Sequence, residues 1–207
     1  MGRPETDLAR QDAMSLLGNG LYDAKKYEDA LSVDETRLSL MRRLGASEDN
    51  MLITQGNLAC TYEKIGRFDE ALSLRKEVYS KRLKLTGEED RSTIIAACNY
   101  AGTLTERQRF EEAKALLRKT MPVARRVHGE GDRLALKTRW NYADAFCRDP
   151  GATLDDLREA VTTLEDIERI ARRVFGGTHP LTKGIERDLR KSRAALRARE
   201  TPSPGSA

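Results

Sequence analysis

The sequence predicts an all-α solenoid of about four helix-turn-helix hairpins closed by a C-terminal capping helix, and three observations predict it. One motif is written four times. Asn57 to Leu72 reads NLACTYEKIGRFDEAL, Asn99 to Lys114 reads NYAGTLTERQRFEEAK, and Leu16 to Leu31 reads LLGNGLYDAKKYEDAL; from Asn141, NYADAF is followed after an insertion by LREAV. Two independent markers share a period: the motif alanines Ala30, Ala71, Ala113 and Ala160 are 41, 42 and 47 residues apart, and the closing glycines Gly45, Gly87, Gly129 and Gly176 are 42, 42 and 47 apart. The composition, with 34% charged and 5% aromatic residues, suits exposed amphipathic helices. A fixed period of this size marks stacked supersecondary units, none of which buries its apolar face alone. The array is expected to form one domain over residues 7–199, with 200–207, rich in Pro, Ser and Gly, a disordered tail.

Each element follows in order. Asp7 to Asp23 is the first helix and the poorest copy of the motif, as expected for a terminal unit with one neighbour. Tyr27 to Leu44 is the second, stopped by Gly45, since glycine takes a left-handed cap without steric cost. Ser47, followed by Glu48 and Asp49, caps and charges the next helix start. Leu58, Ala59, Tyr62 and Ile65 then line one helical face, and Ala71, Leu74 and Val78 another after the turn at Gly66-Arg67. The small pairs Ala59/Ala71 and Ala101/Ala113 fall where two helices of one unit cross closely. The third unit runs from Asp90 to Gly129, and Pro122 inside its second helix is expected to kink or break it. The fourth starts near Asp132 and carries a five-residue insertion within RDPGATLDD, which lengthens a loop and leaves the stack intact. Pro180 opens a last, strongly polar helix to about Arg199, a cap over the final repeat.

Several function classes are not called for. No apolar run approaches the roughly 20 residues of a membrane span, and the start MGRPETDLARQD has no signal-peptide core. Three isolated cysteines, Cys60, Cys98 and Cys147, fit a reduced compartment, and a cytoplasmic location is expected. The net charge of +4 mixes both signs along the chain, so nucleic acid is not demanded, and the basic last helix has no interleaved aromatics for base stacking. His128 and His179 have no partner at metal spacing. No phosphate loop, GxSxG elbow or HExxH stretch is present. The expectation is therefore no enzyme, no cofactor, no metal and no small-molecule substrate.

The motif itself resembles the tetratricopeptide repeat, in the 42-residue variety of kinesin light chains. The resemblance is carried by Asn57-Leu58-Ala59 with Tyr62, by Gly66-Arg67-Phe68-Asp69-Glu70-Ala71-Leu72 and by the unit end Leu85-Thr86-Gly87. Val174-Phe175-Gly176-Gly177-Thr178-His179-Pro180 is similar to that family's Leu-Gly-Pro-Asp-His-Pro turn. The resemblance implies a right-handed superhelix in which the first helix of each unit lines a concave groove for a peptide. It implies an adaptor or scaffold. The coiled coil by which true kinesin light chains hold the motor is not found in this sequence, so only the module carries over.

Asn57, Asn99 and Asn141 recur one repeat apart and match a groove asparagine of that family. Asn is a poor helix former, so its recurrence asks for a reason. An amide that both donates and accepts pairs with the backbone of an extended peptide whatever its sequence; the other reading is that these amides only bond neighbouring helices and hold the stacking register. Lys137, one turn before Asn141, together with Arg148, favours an acidic segment, and Trp140 is a candidate anchor that packing between units explains equally. The family's clamp for C-terminal carboxylates is incomplete, because its matching places hold Ile53, Ile95 and Asn99. The predicted function is a protein-interaction scaffold for a short extended peptide. The alternative is a structural subunit that stacks on other domains or on itself through its ends or convex face, with the oligomeric state left open.

Overall fold

Short polar side chains cap the starts of four of the described helices, and glycines close the two-helix units. In a computed structural model that describes residues 4–200, the Ser47 hydroxyl accepts from the Asn50 N–H at 3.4 Å, and Asp90 Oδ1 accepts from the N–H groups of Ser92 and Thr93 at 2.9 and 3.2 Å. Asp132 does the same for Leu134 at 2.8 Å, and Thr153 with Asp156 closes a reciprocal capping box. These caps satisfy donors that a helix start leaves without a partner. At the far ends Gly45, Gly87, Gly129 and Gly176 all have positive φ, between 65° and 85°.

Among the described residues there are nine α-helices and no strand: α1 (Pro4–Asp23), α2 (Tyr27–Arg43), α3 (Glu48–Lys64), α4 (Phe68–Thr86), α5 (Arg91–Glu106), α6 (Phe110–His128), α7 (Arg133–Arg148), α8 (Leu154–Phe175) and α9 (Pro180–Glu200). They follow the predicted order, pair by pair. Glu200, expected in the tail, closes α9 and takes an ion pair from Arg158 at 2.9 Å. Residues 201–207, the rest of that expected tail, lie outside the described residues. Pro122 is a correction. It sits inside α6, which runs continuously from Phe110 to His128. Its side chain is exposed, so the backbone bond it forfeits lies on the solvent side, where water replaces it.

The helices divide into two compact units at Leu85–Thr86. In the first, Leu31 and Leu38 of α2 pack with Leu58 of α3, flanked by Met51, Tyr62, Ile65 and Leu74. Two buried arginines tie α4 to α3: Arg75 donates to Glu63 and to the Gly56 carbonyl, and Arg82 pairs with Asp49. In the second, Ile94, Cys98, Ala124, Leu134 and Ala135 form one core cluster. Phe146, Leu164, Ile167 and Ile185 are also fully buried. Ala59, Ala71, Ala101, Ala113, Ala143 and Ala160 are all 0% exposed, which is the close crossing of hairpin helices that their small size predicts. The insertion in the last hairpin is held down at both ends: Asp149 binds the buried Lys114 of α6, and Arg199 of α9 donates to the carbonyls of Ala152 and Pro150.

Candidate functional site

In the second unit α5, α7 and α9 are the first helix of each successive hairpin and the closing helix, and they lie side by side. Contacts between α5 and α7 step by about one repeat. Arg91 meets Asp132 at 3.4 Å, Cys98 Sγ meets Thr138 Oγ1 at 3.0 Å, and Arg148 embraces Glu106 through both guanidinium nitrogens. Between α7 and α9, Trp140 Nε1 donates to Asp188 Oδ2 at 3.1 Å and Cys147 Sγ lies 2.9 Å from Ser192 Oγ. Both series advance together along the two chains, so neighbouring first helices run parallel. Ile95 and Asn99 of α5 stand exposed, four residues apart. On α7, Lys137, Asn141, Asp144 and Arg148 follow at steps of four, three and four, which is one helix face.

The residues singled out in the sequence sort into distinct situations. Asn141 is half-buried, and its Nδ2 donates to the Cys98 carbonyl at 3.2 Å, reaching back one repeat. Asn57, in the first unit, reaches back in the same way to Asn19 Oδ1 at 3.4 Å. Asn99 is exposed, and its side chain makes no hydrogen bond among the described residues. Lys137 is exposed with its ammonium 4.8 Å from the centre of the Trp140 ring, an attraction between cation and ring quadrupole. Trp140 itself is wedged against α9, where a Cβ added at Gly184 would run into the indole. Arg148 is not a free cation: besides Glu106 it has Asp144 Oδ2 at 3.7 Å. That hydrogen bond to Glu106 raises the affinity of Arg148 for its proton and lowers that of Glu106.

Sequence comparison decides the family. Tetratricopeptide repeats match residues 10–83 and again 93–133, together more than half of the chain. This chain belongs to the tetratricopeptide repeat family. No match to the sequence is found among curated proteins. Similar solved structures include two crystal structures of kinesin light chain-like, nearly identical TPR-like repeats from Podosopora anserina. One has TM-score 0.71 and 18% identity over 91% of this chain and 93% of that one; the other has TM-score 0.70 and 18% identity over all of both. The crystal structure of BtubC (BKLC) from P. vanneervenii is similar at TM-score 0.71 and 17% identity, over 99% of this chain and 87% of that one. At such identities the likeness is one of fold. Tetratricopeptide repeats are in general protein–protein interaction modules, and no described helix of this one is long and apolar enough to cross a membrane.

The tetratricopeptide repeat protein has one further feature on this face. In the second unit α7 and α9 wall a cleft of about 340 Å³, with the buried Leu164 of α8 among its lining residues. Trp140, Asp144, Cys147 and Arg148 line it from α7, and Asp188, Lys191, Ser192 and Ala195 from α9, so two carboxylates and two cations share its walls. Burial pushes the Asp144 carboxyl above its usual range, Arg148 pulls it back, and Asp188 and Glu106 push it up again. A more open cleft of about 640 Å³ lies between α8 and α9; in it Arg172 pairs with Glu168 and Glu186, and Arg193 with Glu165, while Arg169 and Arg190 also line it. Sequence reasoning missed Asp144 and Asp188. The signal was there, since Asp144 follows Trp140 by one helical turn and Asp188 follows it by about one repeat, but acids on repeat helices are common and nothing local set these two apart.

Proposed function

We propose that this chain is a non-catalytic scaffold whose exposed face on α5, α7 and α9 takes a short extended segment of a partner protein. The observation that carries the reading is Asn99. Its exposed amide offers a donor and an acceptor that no described side chain or backbone group uses, which is what pairing with a peptide backbone needs. Asn141 has two jobs: one N–H holds the Cys98 carbonyl, and its oxygen and second N–H remain for a guest. An acidic residue in the peptide is assigned to Lys137 alone, because Arg148 is committed to Glu106 and Asp144. A cytoplasmic setting, where thiols stay reduced, suits the free Cys60, Cys98 and Cys147.

A structural subunit is the second reading, and a specific observation favours it. Asn57 and Asn141 both bond the preceding first helix, so part of the asparagine ladder serves stacking. The two separate by experiment. Peptides selected on the full chain from a random heptapeptide display library are expected to bind about tenfold more weakly to Asn99→Ala, with helicity unchanged. That is the roughly 1.4 kcal/mol of one or two hydrogen bonds. Recovery of no peptide, or equal binding to native chain and variant, rejects the groove; mass rising with concentration in sedimentation then supports the structural subunit.

A further inference from the structure

We propose that the outward face of α9 docks an acidic segment of a partner protein, a run of aspartates and glutamates. The inference goes beyond the peptide groove and does not rest on it. Charge is the first argument. Pro180–Glu200 holds seven of the chain's 37 Lys and Arg and three of its 33 Asp and Glu; the other 30 cations and 30 acids balance, so this one helix carries the whole net charge of +4.

Placement is the second argument. At about 100° per residue, Lys183, Arg187, Arg190, Lys191 and Arg197 fall within roughly one third of the circumference of α9. Only Ala194 and Ala198 share that arc, and all of these residues are exposed. The three acids of α9 lie off it and are occupied. Glu186 pairs with Arg172 and Glu200 with Arg158, both of α8. Asp188 accepts from the Trp140 indole N–H at 3.1 Å and from Arg187 at 3.0 Å, with Lys191 at 3.8 Å. Arg190 also borders the cleft toward α8, but the glutamates there are taken by Arg172 and Arg193. Arg197 donates to the Arg193 carbonyl at 3.3 Å, which leaves its charge uncancelled by that bond. Lys183 and Arg190 make no ion pair among the described residues. Like charges three and four residues apart, such as Lys183 with Arg187 and Arg187 with Arg190 and Lys191, repel on a helix surface. An acidic guest relieves that repulsion.

The chemistry of the face selects the occupant. It has no aromatic side chain for a single-stranded base to stack on, and no large apolar side chain to enter a bilayer. Tetratricopeptide repeats are in general protein–protein interaction modules. Arg187, Arg190 and Arg197 suit carboxylates, which a planar guanidinium bonds in parallel. From Lys183 to Arg197 the array runs about 21 Å at 1.5 Å per residue, which about six extended residues span at roughly 3.3 Å each. The chain's own residues 201–207, TPSPGSA, contain no acid and do not supply the guest.

The test uses the full chain and fluorescein-labelled octaglutamate in about 50 mM salt, where surface charges are weakly screened. The peptide is expected to bind, and the triple variant Lys183→Glu, Arg190→Glu, Lys191→Glu to bind it at least tenfold more weakly. A control triple, Arg10→Glu, Lys76→Glu, Lys119→Glu, reverses three exposed cations outside α9 and lowers the net charge equally; its loss is expected to be less than threefold. Circular dichroism checks that helicity is unchanged. Should the reversal disturb α9, glutamine at the same three positions takes its place, with at least a threefold loss expected. Equal losses in the α9 and control variants, or no binding at all, overturn the proposal. So does tighter binding of a single-stranded oligonucleotide of equal charge, or of vesicles of phosphatidylserine and phosphatidylcholine, which assigns the face to nucleic acid or to an anionic membrane. A dimer in sedimentation that the α9 variant disperses assigns it to a second copy of this chain and overturns the proposal too. Asn99→Ala is expected to leave octaglutamate binding unchanged; a loss there places the acidic peptide in the groove and overturns the α9 site alone.

Discussion

Gln108 and Lys25 occupy the place in their hairpin turns where the second repeat has Gly66, and they adopt the same left-handed backbone, with φ of 59° and 60° against 81°. A side chain in that region carries a steric cost that glycine escapes, roughly 1–2 kcal/mol. Gln108→Gly is therefore expected to stabilise the protein by about 0.5–1 kcal/mol, once glycine's extra freedom in the unfolded chain is subtracted. Urea melts of variant and native chain check it, and a loss of stability rejects the strain. Asp144 makes a second residue-scale prediction, through pH. Its pKa is raised in the folded state, first by burial, so the folded chain binds this proton more readily than the unfolded one. Stability from this group is present at low pH and lost as pH rises through the folded value. At pH 7 the ionised Asp144 is thus a cost, and Asp144→Asn is expected to melt at or above the native temperature. The difference should shrink as pH falls and the native carboxyl takes up its proton. A lower melting temperature at pH 7 would show that the pair with Arg148 outweighs the burial.

At the scale of the element, Lys114 explains how the longest hairpin connection stays ordered. It holds the motif position filled by Leu31, Leu72 and Val161 in the other units, yet it is 2% exposed. Its ammonium bonds Asp149 at 2.6 Å and Glu111 at 2.8 Å and lies 4.5 Å from the centre of the Phe146 ring. Removing one member of such a buried pair strands the other. Lys114→Met is expected to cost about 3 kcal/mol, and adding Asp149→Asn to recover part of it. Denaturant melts of the two single variants and the double close the cycle, and strict additivity would reject the coupling. This pair also marks where the sequence stops being readable. Helix starts at Ser47, Asp90 and Asp132, the glycine stops and the alanine crossings are local signals, decided within a turn or two of chain. They were legible for that reason. Nothing local marks Lys114 as buried, because its partner sits 35 residues away in an insertion with no counterpart in the other repeats. Arg148 reads as a free cation for a ligand because Glu106, one repeat back, is invisible to local pattern. Pro122 reads as a break because the rule against proline does not know that its ring faces water. The asparagines were found by their period, but only packing distinguishes Asn141, bonded to α5, from Asn99, which is open.

Charge acts on the whole molecule. Four carboxyls of the second unit are held below their ordinary range: Glu106 by its hydrogen bond to Arg148, Asp156 by the Thr153 N–H, and Asp166 by Arg139. Asp149 joins them, since burial pushes it up but Lys114 and the Gly151 N–H carry it below. For each of these groups the unfolded chain binds a proton more readily than the folded one. The stability they supply is therefore present above the ordinary carboxyl value, about 4, and is lost as pH falls through it toward the lower folded values. The same titration unbalances the chain as a whole. At neutral pH 37 Lys and Arg stand against 33 Asp and Glu; in acid the negative charges disappear and the positive ones repel one another. Helicity followed by circular dichroism is expected to be flat from pH 7 to about 5 and to fall below about 4. Salt divides the two causes. At about 1 M, where the screening length is roughly 3 Å, repulsion is removed and part of the helicity should return, but the specific pairs stay protonated and unmade. Glu106→Gln, which has no proton to gain at this site, is expected to start less stable at pH 7 and to lose less between pH 5 and 3. Helicity that persists unchanged to pH 2, or an acid transition identical in Glu106→Gln, would mean that these ion pairs do not govern stability and that apolar packing around the alanine crossings suffices.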